Sequence, residues 1–100
     1  MLKHIVMWKV KEGVEGRSKE ESAKLIKDNM EGLINLIPEL EAIQLGINAL
    51  EDKDSYDLVL NADFADEKAL EIYKYHEDHQ ASVKFASTML YDRVVIDYFY

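Results

Sequence analysis

The segment Tyr73-Lys74-Tyr75-His76-Glu77-Asp78-His79 concentrates the groups best suited to move a proton. It holds two of the chain's three histidines and two of its six tyrosines. Imidazole titrates near pH 6.5, so either histidine can serve as acid or base close to neutrality (about 6.5 unperturbed). A phenol and one or two imidazoles beside an apolar cavity make an acid/base site. In that role His79 removes a proton next to a carbonyl or from a phenol, and Tyr73 supplies a hydroxyl. Each residue also has a plain structural role open to it. His79 can end a helix and bond backbone, His76 can order a loop between two helices, and Tyr73 can be a core tyrosine satisfied locally. His76 and His79 stand three apart, and in a continuing turn of helix they share a face. His4 alternates with Leu2, Val6 and Trp8, which makes it a core or cavity-lining histidine. The ligand-binding candidates are thus His4, Val6, Trp8, Tyr73, His76 and His79.

Other chemistries find little support. His76 and His79 with Asp78 or Glu77 lack a firm third ligand, so no metal is predicted. There is no glycine-rich phosphate loop and no serine elbow, and no cofactor is predicted. The chain has no cysteine, hence no disulfide and no thiol nucleophile, in keeping with a cytoplasmic location. A net charge of −8 with no Lys/Arg stripe argues against nucleic acid. The apolar run from Ile5 to Trp8 is too short for a signal peptide, and nothing approaches the roughly 20 apolar residues that span a bilayer. With 48% hydrophobic and 32% charged residues, residues 1–100 read as one folded domain.

The elements that must position these residues follow from periodicity. Residues 2–10 alternate, with Leu2, His4, Val6, Trp8 and Val10 on one face and Lys3, Ile5, Met7 and Lys9 on the other. Residues 12–17 read as a loop. Ser18 and Glu21 form a capping box, and Ala23, Ile26, Met30, Leu33 and Ile37 follow on a helix of about five turns that Pro38 ends. That spacing places Lys24, Lys27, Asp28 and Glu31 outside. Strands over 42–48 and 56–64 flank a charged turn and form a hairpin. Asp66 caps a short helix over 67–75. Val83, Ala86 and Leu90, with Phe85 and Met89 beside them, predict another, and a last strand spans 92–100. The order βαββααβ gives an α+β sandwich with helices on one face of an antiparallel sheet. The other face still carries apolar residues, which predicts a partner sheet and a homodimer.

Several of these segments together resemble the Dabb family of stress-responsive dimeric α/β-barrel domains. His4-Ile5-Val6-Met7-Trp8-Lys9 resembles its opening strand, Tyr56-Asp57-Leu58-Val59-Leu60 with Asp63-Phe64 its third, and Val94-Val95-Ile96-Asp97-Tyr98 its closing strand. Tyr73, His76 and His79 match its Tyr-x-x-His-x-x-His spacing. The family usually has proline after the first of these histidines, where this chain has Glu77. The resemblance implies a ferredoxin-like subunit that pairs through its open sheet face and holds a cavity. It extends in fold and spacing to olivetolic acid cyclase, a plant polyketide cyclase, and implies His79 as catalytic histidine and Tyr73 as cavity tyrosine. Cofactor-independent monooxygenases resemble it in fold only. Two function classes stay open: a dimer that binds a small hydrophobic or aromatic ligand, and an enzyme using His79 as general base.

Overall fold

β1, Leu2–Val10, is the strand on which the rest is built. Its even-numbered residues are all buried, from Val6 at 1% exposed to Trp8 at 9%, and its odd-numbered residues look out from the other face. In the computed structural model, which describes residues 1–100, β1 pairs antiparallel with β3 (Leu58–Phe64) on one side and β4 (Leu90–Phe99) on the other. β2 (Ala42–Ile47) pairs with the outer side of β3, from Ala42 opposite Asp63 to Ile47 opposite Leu58. The sheet order is β2-β3-β1-β4, all antiparallel, with both long connections on one face. This is the ferredoxin-like α+β arrangement expected from the pattern. The sheet of a single chain is open.

Helix α1, Lys19–Glu31, begins where the sequence places it. Ser18 Oγ accepts from the Glu21 amide at 3.1 Å, and the Glu21 carboxylate accepts from the Ser18 amide at 3.0 Å. It ends earlier than expected, because Gly32 is a poor helix residue and the chain tightens there into a 3-10 turn, Gly32–Asn35. Leu33 and Ile37 remain buried all the same. Lys27 and Glu31 are not simply outside. They pair at 2.6 Å, and both bond the backbone of Leu45, which pins α1 to the edge strand β2.

Helix α2, Glu67–Tyr75, is capped by Asp66, whose carboxylate accepts from the Ala69 amide at 2.8 Å. Helix α3, Glu77–Ala86, follows after the single residue His76. Contrary to the spacing argument, Met89 and Leu90 are not part of α3. Leu90 opens β4 opposite Val10. Two residues, Asp92 and Arg93, then stand opposite the one residue Trp8, with Asp92 at φ 54°. An aspartate tolerates this left-handed conformation, and the result is a β-bulge.

The core lies between the helices and one face of the sheet. Ala23, Ile26, Met30 and Leu33 pack with Leu70, Tyr73 and Ala86 against Val6, Leu58, Leu60 and Phe64. β4, at the edge, has no such cover, and every residue from Tyr91 to Phe99 is exposed. On the opposite face no helix packs at all. There Ile5 pairs with Ile96 and Met7 with Val94.

Candidate functional site

A cavity of about 460 Å³ opens between the helix side of β1 and β4 and the inner side of α3. Its volume falls in the range of small-molecule sites, about 300–1,000 Å³. The strand alternation of β1 delivers His4, Val6 and Trp8 to its floor together. α2 brings Tyr73 at the end of its buried stripe, and α3 brings His79 and Val83.

Tyr73 is 1% exposed, and its ring lies against Phe64 at 5.0 Å and His79 at 4.2 Å between centroids. Burial pushes its hydroxyl up to about 12, so the phenol stays protonated at neutral pH. That hydroxyl is not committed to a partner in the chain and is free to donate into the cavity.

His79 Nδ1 lies 3.0 Å from the Lys74 carbonyl oxygen. A carbonyl only accepts, so Nδ1 carries the proton and Nε2 of the neutral ring keeps its lone pair. Burial lowers the affinity of His79 for a second proton, the Lys74 carbonyl partly restores it, and the nearby positive charge of Arg93 lowers it again. His79 thus bonds backbone at the start of α3 and also lines the cavity.

His4 is 5% exposed, and its Nδ1 lies 2.5 Å from the Asp97 carboxylate across the β1–β4 ladder. Burial lowers the His4 pKa and the Asp97 bond opposes that shift. Asp97 likewise fixes the Nδ1–H tautomer, leaving Nε2 as an acceptor. The cavity thus receives two imidazole acceptors and one phenol donor, each oriented by residues behind it.

His76 does not join them. The backbone turns to extended geometry there, φ −63° and ψ 137°, so His76 and His79 do not share a helical face. The His76 ring instead accepts from the Asp78 amide at 3.1 Å and caps α3. Of the six expected ligand-binding residues, His4, Val6, Trp8, Tyr73 and His79 line the cavity and His76 does not.

Leu90 and Arg93 also line the cavity, as does Lys74. In an unbroken strand, residues three apart face opposite sides. Arg93 is inward by alternation from Val95, which pairs with Val6, and the bulge at Asp92 shifts the phase so that Leu90, opposite Val10, faces inward as well. The sequence carried one usable signal for Arg93, its place in strict alternation with Val95 and Asp97. It carried none for the bulge.

A comparison with curated proteins gives no match. Solved structures are more informative. A dimeric ferredoxin-like protein of unknown function from Thermobifida fusca superposes with a TM-score of 0.81 at 25% identity, over 97% of this chain and 88% of its own. A protein from Arabidopsis thaliana gives 0.84 at 24%, over 100% and 95%. The hydroxynitrile lyase of Passiflora edulis gives 0.81 at 17%, over 97% and 90%, and at that identity the likeness is one of fold. Residues 2–100 match the model of the stress responsive A/B barrel domain, Dabb, and the chain belongs to that family.

Proposed function

We propose that the protein is a homodimer in which each subunit binds a small hydrophobic or aromatic ligand in the cavity above β1. The observation that carries this reading is the cavity itself, with apolar walls and a few convergent polar atoms. His4, Val6, Trp8, Tyr73 and His79 form the binding set. Dimerisation rests on the bare apolar sheet face and on the dimeric relative from Thermobifida fusca. Trp8 is the only tryptophan and sits in the wall, so its fluorescence reports occupancy. Titration with 4-butylbenzyl alcohol is expected to give a saturable change in Trp8 emission and a rise in melting temperature. No saturable change and no thermal shift up to the solubility limit of the probe would sink the reading.

A second reading, a cofactor-independent enzyme of polyketide cyclase-like or monooxygenase-like type, has its own observation. The Nδ1 bond of His79 leaves Nε2 as a base, with the uncommitted Tyr73 hydroxyl beside it. Such a pair removes a proton next to a carbonyl and stabilises the oxyanion that forms. Exchange of the α-protons of a small aromatic ketone with deuterated water, followed by NMR, measures that step without knowledge of the natural substrate. His79→Ala is expected to lower the exchange rate roughly 10²–10⁴-fold and Tyr73→Phe to lower it less. Exchange no faster than in buffer removes this reading and leaves the binding one in place.

A further inference from the structure

The charge in the cavity runs against the charge of the molecule. The chain carries 20 acidic and 12 basic residues, yet both charged residues lining the cavity, Lys74 and Arg93, are cationic. Neither stands within 4.0 Å of a carboxylate, and the other cations without such a partner, Lys11, Lys53, Lys68 and Lys84, are exposed and lie outside the cavity lining. Asp97, the carboxylate behind the wall, is taken by His4. The Arg93 charge is felt at both His4 and His79, and that of Lys74 at His4, so both cations act on the cavity interior. Arg93 faces inward in phase with Val95 and Asp97, which pair with Val6 and His4 on the covered face of β1, and the bulge at Asp92 brings Leu90 to that same side.

We propose that the ligand is an apolar molecule bearing one carboxylate, held by Arg93 at the rim with Lys74 beside it. This rests on the binding reading above and narrows it. Arginine presents a planar fork that matches a carboxylate bidentately. The apolar body lies along Val6, Trp8 and Leu90, and the Nε2 acceptors and the phenol meet polar atoms on that body. A phosphate is a poor fit. The nearest helix start, that of α3, carries Glu77 and Asp78 in its first turn and already has His76 as its cap.

The test compares two probes of one shape, 4-butylbenzoate and 4-butylbenzyl alcohol, by Trp8 fluorescence and calorimetry at pH 7.5. The acid is expected to bind roughly tenfold more tightly, since charge-assisted hydrogen bonds are strong and partial exposure of Arg93 weakens the pair. Salt should narrow the ratio. Arg93→Gln should bring it close to one, Arg93→Lys should retain part of it, and Lys74→Gln should lower it slightly. Equal affinity of the two probes for the parent protein overturns this inference alone, as does a ratio that Arg93→Gln leaves unchanged. Failure of both probes to bind overturns it together with the binding reading. The salt series on the parent decides the matter independently of how well any variant folds.

Discussion

Successive residues of β1 look out on two unlike regions. Val6 is 1% exposed beneath the helices, while its neighbour Met7 is 37% exposed on the bare face. The covered side has polar groups where a core would have none, namely His4, the Tyr73 hydroxyl and His79 around a hollow. The bare side has the reverse mismatch, with Ile5, Met7, Val94 and Ile96 where water would prefer charge. A buried polar group and an exposed apolar patch are the informative departures from simple burial. On the function proposed above, the first marks a place for a ligand and the second a place for another copy of the sheet. One strand, through its period of two, serves both.

The comparison breaks most sharply at Ile5, which pairs with Ile96 at the centre of the bare face. Ile5→Glu leaves the helix side untouched but puts an unpaired charge into any sheet-to-sheet contact, at a cost of about 3–5 kcal/mol. Sedimentation equilibrium at low micromolar concentration should give twice the chain mass for the parent and a lower mass for the variant, with a lower melting temperature. A parent that sediments as a monomer would show that the bare face needs no partner. A smaller change sharpens the contrast from the other side. Ser18→Ala leaves the Glu21 amide without its partner at the start of α1, the helix that closes the covered face. It should cost about 0.5–2 kcal/mol. Melting should shift while the sedimenting mass stays the same. Unchanged melting would mean that the capping box contributes nothing to that closure.

Periodicity carried much of this architecture. The alternation of β1 told which residues face the helices, and the Ser18 and Asp66 caps fixed the starts of α1 and α2. What it did not carry were places where one residue changes the phase. His76 sits at such a place: its extended backbone ends α2 and starts α3, so the expected pairing with His79 on one face is lost. Asp92 is another. Its left-handed φ creates the bulge, which brings Leu90, at the start of the strand, to the same face as Arg93. Lys27 and Glu31 had the spacing of a solvated face, but the edge strand β2 offered them backbone groups to bond. Tertiary partners of that kind leave no trace in local spacing. For the site, the types and spacing of Tyr73 and His79 were legible, whereas its electrostatics depended on which strand faced which helix.

The smallest expected effect is a difference in pH response between the two faces. On the bare face, Asp63 accepts from Lys3 and Tyr100; these bonds lower the carboxyl and raise the ammonium. Their contributions change below about pH 4 and above about pH 10.5, the ordinary values of the two groups. On the covered face, burial lowers the pKa of His4 and of His79 below the ordinary 6.5. Just below pH 6.5 the unfolded chain binds protons at these rings that the folded chain does not, so stability rises with pH through that window. Their contribution is fully present above pH 6.5 and is lost as pH falls through the folded values. Urea unfolding at pH 7.5 and pH 5.5 measures the change. The general effect of net charge is nearly common to parent and variant, so His79→Gln isolates the share of one ring. The variant should lose less stability between the two pH values than the parent does. Equal losses would mean that the His79 ring is as well solvated as in the unfolded chain.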